Sequence, residues 1–208
     1  MNKNSGTPYF DPEMPTGFWR KNLPHLQQTG KIHMVNFRLG DSMPQSLVIQ
    51  YKRLKEDFIR KHPYPWDNAT YDEYRSIIST PMEKYIDSGY GSCVLKYKEI
   101  RQYLIDSLDF YDMERYAMLA YVIMPNHVHM LVTPLGGYDL YATLSSIKSY
   151  SATKINRHLG RRGALWQEEP FDTVIRNHQH YLKCLEYIKA NPIYLPPGSY
   201  AFGGLEFR

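Results

Sequence analysis

Residues 115–133 read RYAMLAYVIMPNHVHMLVT. Two apolar, strand-like runs, 115–124 and 127–133, flank the turn-forming pair Pro125-Asn126, and this pattern predicts an antiparallel hairpin. His127 and His129 lie on its second strand with Val128 between them. Side chains at i and i+2 share a face, with Cβ atoms roughly 7 Å apart, so both imidazoles can converge on one ion. Burying two imidazoles in so apolar a run without partners is costly, so something must satisfy them.

Upstream of the hairpin, Gly30 introduces KIHMVNFRL (31–39), a short strand carried by Ile32, Met34, Val35 and Phe37. Pro44 opens a helix with Leu47, Val48, Tyr51, Leu54, Phe58 and Ile59 at helical spacing, and HPYPW (62–66) ends it. Thr70 to Glu73 reads as a capping box, and Pro81 breaks or restarts the helix that follows. Residues 91–108 form another, with Tyr97, Ile100, Leu104 and Leu108 on one stripe. Downstream, Leu140, Leu144, Ile147 and Ile155 mark a helix ending at Gly160, residues 171–176 a strand, and 177–190 a last helix stopped by Asn191-Pro192. The order is strand, helix, strand, strand, helix, strand. It predicts an α+β fold, a ferredoxin-like βαββαβ antiparallel sheet with helices on one face and an extra C-terminal helix. Residues 1–30 read as an irregular arm, 31–193 as one domain with a helical insertion at about 62–110, and 194–208 as a short tail.

A chain of 208 residues buries a core without disulfide staples, and is short for a (β/α)₈ barrel of about 250 residues. The longest apolar run, residues 116–125, is about half of what a membrane span needs. Cys93 and Cys184 stand apart with no CxxC, which suggests reduced thiols in a cytosol. The formal net charge is only +4, but between residues 141 and 167 there are five basic residues and no acidic one. Lys148, Lys154, Arg157, Arg161 and Arg162, among Ser, Thr, Asn and Tyr, could track a phosphate backbone as readily as they could form a solvated helix face.

The last helix offers a half-site to match the histidines. Tyr187 and Asn191 are four apart and share a face, which Lys183 and His180 extend. A phenol can attack and an amide oxygen can ligate. The segments MPNHVHMLV (124–132), IKSYSATKIN (147–156), LWQEEPFDTVIRN (165–177) and YLKCLEYIKANPI (181–193) together resemble the single-tyrosine HUH transposases, closest to the REP-associated tyrosine transposases. The resemblance runs from about residue 115 to 193 and is loose before that. It implies a nuclease fold that cuts single-stranded DNA at or beside hairpins through a 5′-phosphotyrosine. Tyr187 would be the nucleophile, and His127, His129 and Asn191 the ligands of Mg²⁺ or Mn²⁺. Lys183 would assist the departing oxygen or contact phosphate. The implied protein is a monomer or homodimer in the bacterial cytosol, associated with the nucleoid and with no membrane. The rival expectation is a domesticated hairpin-binding protein without turnover. Compact members of the family join the first two strands by a single helix, whereas here about seventy residues intervene.

Overall fold

The structure, a computed structural model, describes residues 6–14, 17–20, 24–63 and 66–207. Residues 1–5, 15–16 and 21–23 of the expected arm, 64–65 of the proline-rich break, and 208 lie outside the described residues. The arm is not wholly irregular: β1 (Gly17–Arg20) and β2 (Pro24–Gln27) pair antiparallel as a ribbon. Its prolines hide that pairing from a reading of local composition, although proline is tolerated as the first residue of a strand, as Pro24 is here.

The main sheet is built from the expected strands. After β3 (His33–Arg38) come α1 (Gln45–Lys61), α2 (Asn68–Tyr74), α3 (Thr80–Asp87) and α4 (Lys98–Asp109). The hairpin β4 (Tyr116–Ile123) and β5 (His127–Pro134) follows, then α5 (Leu140–His158), β6 (Phe171–Val174), α6 (His178–Ala190) and β7 (Ala201–Gly203). The strand order is β6-β3-β5-β4-β7, every pair antiparallel. The first four strands are in ferredoxin-like order. The fifth, β7, arises within the expected tail. Three residues carry no periodic signal, and β7 fits beside β4 because Gly203 lacks a Cβ where the Tyr121 ring passes.

Alternation sorts side chains to the two faces of this sheet. Val35, Phe37, Val128, Met130 and Val132 face one side, where Leu104 and Leu108 of α4 and Leu144 and Ile147 of α5 close the larger core. A bulge between Met118 and Ala120 keeps β4 in step across both faces. Met34, Ala120, Val122 and Leu131 face the other side, covered by Leu185 and Ile188 of α6. The helix beside α5 is therefore α4, which lies inside the span expected as the insertion.

Helices α1 to α3 instead gather around Phe58, Tyr74 and Ile78, with Phe171 packed against them. They dock on β6 through the Tyr71 hydroxyl, 2.6 Å from Thr173 Oγ1. Between α2 and α3 the chain widens into a π-helical turn, Arg75–Ser79, just before Pro81. Proline has no N–H and its ring collides with the carbonyl four residues back, and a widened turn absorbs both defects. The cap of α2 is Asp67, which accepts from Thr70 N at 2.8 Å, so the capping box expected at Thr70 does not form. A carboxylate three residues upstream takes that N–H first. No helix among the described residues is long and apolar enough to cross a membrane, and both cysteines are free thiols.

Candidate active site

Because Val128 and Met130 point into the larger core, His127 and His129 point to the opposite face, the side of α6. Both imidazoles are buried, 3% and 2% exposed. Each is held by a neutral amide. Asn126 Oδ1 lies 2.7 Å from His127 Nδ1, and Asn36 Oδ1 lies 2.7 Å from His129 Nδ1. Asn36 is the residue directly opposite His129 on β3. An amide oxygen only accepts, so each Nδ1 carries the proton and each Nε2 keeps a lone pair. Both Nε2 atoms are buried without a hydrogen-bond partner. Burial first, and then the neighbouring His127, hold His129 well below the ordinary imidazole value. It is a neutral ligand-type nitrogen.

Helix α6 starts at Asn177, whose side chain accepts from His180 N at 2.8 Å. Its buried Leu185 and Ile188 seat it on β4 and β5, and this carries Tyr187 to the histidines. The Tyr187 ring meets the His129 ring edge-on with centroids 5.0 Å apart. One turn on, Asn191 hydrogen-bonds the Tyr187 phenol and leaves its Oδ1 buried without a partner. Burial, then the Glu83 and Asp87 carboxylates, push the phenol above its ordinary value, while the Asn191 hydrogen bond opposes them. Glu83 is itself pushed up to about 7, chiefly by burial. Two buried imidazole nitrogens and a buried amide oxygen, all unpartnered lone-pair donors, suit a divalent cation.

The other expected residues are dispersed. Lys183 is exposed on α6, one turn before Tyr187. Lys148 is held by two carbonyls, Gln167 O at 2.7 Å and Glu168 O at 2.6 Å, and burial lowers it to about 8. Lys154 lies over the Tyr150 ring, and Arg157 and Arg162 are exposed. Arg161 reaches Ala164 O at 3.4 Å. All five are on or just beyond α5, whose buried residues pack on the sheet face turned away from the histidines. Trp166 belongs to the core: its indole donates to Ser151 Oγ at 3.0 Å and its ring abuts Phe37. Of the tyrosines flanking Tyr187 in sequence, Tyr181 bonds Glu206 and Tyr194 is 95% exposed.

Sequence reasoning missed Asn36, Asn126, Glu83 and Asp87. Asn126 had a signal, since it adjoins His127 in the turn, whereas acidic residues on an amphipathic helix carry none. A cavity of about 590 Å³ opens beside His127 and His129, walled by α1, α3, the end of β3 and residues 167–171.

A ferredoxin-like sheet that sets a phenol and an amide from a last helix over two histidines of one strand is the layout expected of a tyrosine transposase. Residues 93–191 match the family described as Transposase IS200 like. A solved structure described as a REP-associated tyrosine transposase bound to a REP hairpin is similar at 17% identity with a TM-score of 0.44, covering 80% of this chain and 69% of that one. No curated protein matches the chain.

Proposed function

We propose that this protein is a transposase, a divalent-metal-dependent endonuclease and strand transferase of single-stranded DNA, with Tyr187 as its nucleophile. The observation that carries the reading is the Tyr187 ring set against His129, beside two buried, unpartnered Nε2 atoms, with Asn191 on the phenol and its own Oδ1 unpartnered. His127, His129 and Asn191 would hold Mg²⁺ or Mn²⁺. When bound, the cation would polarise a non-bridging oxygen of the scissile phosphate and offset charge in the transition state.

Asn36 and Asn126 keep both rings in the ligating tautomer. The Tyr187 oxygen attacks phosphorus, the bond to the 3′-oxygen breaks, and that oxygen leaves as a 3′-hydroxyl with a proton from the site. The 5′ side of the break stays on Tyr187 as a phosphotyrosine. Because that ester retains the reactivity of the phosphodiester, a second 3′-hydroxyl can displace the phenol and rejoin strands without ATP. Burial keeps the phenol protonated in the free protein, so its proton leaves only as DNA and cation arrive. Lys183 lies one turn away to meet a phosphate, and Lys154, Arg157, Arg161 and Arg162 supply backbone contacts on the far side. Lys148, committed to two carbonyls, is left out of that set. The substrate is hairpin-containing DNA in the cytosol, engaged by a monomer or homodimer.

The test uses single-stranded DNA from both flanks of the protein's own gene, with Mn²⁺, on a denaturing gel beside Tyr187→Phe. A protein-linked band in the wild type and none in the variant is the expected result. An adduct that survives Tyr187→Phe overturns the nucleophile. Binding with no adduct, on both strands and both flanks, replaces this reading with a hairpin-binding protein without turnover.

A further inference from the structure

The inserted helices bring to the site a group that lies outside the segment matched by the family, residues 93–191. Asp87, the last residue of α3, sets Oδ1 3.3 Å from His127 Nε2 and Oδ2 3.5 Å from the Tyr187 hydroxyl. With the His127 proton on Nδ1, where Asn126 Oδ1 receives it, the 3.3 Å approach turns two lone pairs toward each other. Facing lone pairs repel, and a cation between them reverses the sign.

The ligand atoms of Asp87, His127 and His129 all lie within 4.8 Å of one another. Two bonds of about 2.0–2.2 Å to one ion hold their donors no more than about 4.4 Å apart, so a small side-chain rotation closes the set on one ion. The placement of Asp87 is braced from both sides. The Asn126 amide donates to Ile86 O and Tyr90 O, each at 3.0 Å, so the residue that orients His127 also fixes the end of α3. Resting on the metal-dependent reading above, we propose that Asp87 is a ligand of the divalent cation, and that the insertion thereby completes the metal centre. One carboxylate oxygen binds the ion while the other stays on the nucleophile. A carboxylate oxygen makes the set better suited to a hard cation such as Mg²⁺ or Mn²⁺ than two imidazoles alone. It also tightens binding, because affinity for hard cations rises with the charge of the ligand set.

The full-length protein is titrated with Mn²⁺ alone, following the free-ion signal by electron paramagnetic resonance, for wild type, Asp87→Asn and His129→Ala. Metal-free thermal midpoints are recorded alongside. The expected result is one tight site in the wild type, affinity about tenfold or more weaker in Asp87→Asn at an unchanged midpoint, and loss of the site in His129→Ala. Wild-type affinity in Asp87→Asn together with loss in His129→Ala overturns the role of Asp87 and leaves the metal site standing. No Mn²⁺ binding by the wild type overturns the metal-dependent reading itself, and the role of Asp87 falls with it.

Discussion

At the scale of single residues the site depends on two neutral amides. Asn126 accepts from His127 and donates to the carbonyls of Ile86 and Tyr90. Asn126→Ala therefore orphans the buried His127 Nδ1–H and loosens both carbonyls, of which Ile86 O keeps the Gly89 N–H. An orphaned group costs about 1–3 kcal/mol before relaxation. The variant is expected to lose about 2 kcal/mol or more in urea denaturation. Mn²⁺ affinity is expected to fall with it, since the groups that orient a ligating histidine are worth about 10–100-fold. Asn126→Ala at wild-type stability would refute this bracing role.

His129 also makes stability depend on pH. It is neutral in the fold and held well below its ordinary value of 6.5, whereas the unfolded chain takes up the proton near that value. The unfolded state therefore binds more protons below 6.5, and stability present above it is lost as the pH falls, by up to about 1.4 kcal/mol per unit from this group. Metal-free His129→Gln should unfold with a shallower acid slope than wild type, and an identical slope would refute the argument.

At the scale of elements, the histidine hairpin was legible because its signals are local: period-2 alternation over each run, and Pro125-Asn126 between them. β4 and β5 run as expected to within a residue. The cap of α2 was misplaced because two side chains competed for one N–H and Asp67 had the reach. The turn between α3 and α4 depends on Gly91. Its φ of +96° is a conformation that L side chains rarely adopt, and a Cβ there would sit 2.5 Å from Asp41 O. Gly91→Ala is expected to destabilise the fold by more than about 1 kcal/mol. It should also weaken Mn²⁺ binding, because Tyr90 next to it anchors the α3 end to Asn126. Chemical denaturation and the Mn²⁺ titration check the two effects separately.

At the scale of the whole molecule, the sheet is a partition. The phenol and histidines occupy one face, while the cations of α5 stand on the helix packed against the other. Arg157→Ala with Arg162→Ala is therefore expected to weaken single-stranded DNA binding. Its salt dependence should flatten by about 0.7 in log-log slope for each phosphate no longer neutralised. Mn²⁺ affinity should stay unchanged, and a loss of metal binding in that variant would break the partition. The sequence by itself carried the βαββαβ order of elements, because hydrophobic period and turn chemistry are properties of short stretches. It offered His127 with His129 and Tyr187 with Asn191 as same-face pairs, and only the family resemblance joined the four into one candidate site. Only the tertiary structure decided which groups complete the site. Asn36 reaches His129 across 93 residues of chain, and Asp87 reaches Tyr187 across 100. Neither approach leaves a mark on local composition, since each is made by strand pairing and by the docking of α3 through Asn126.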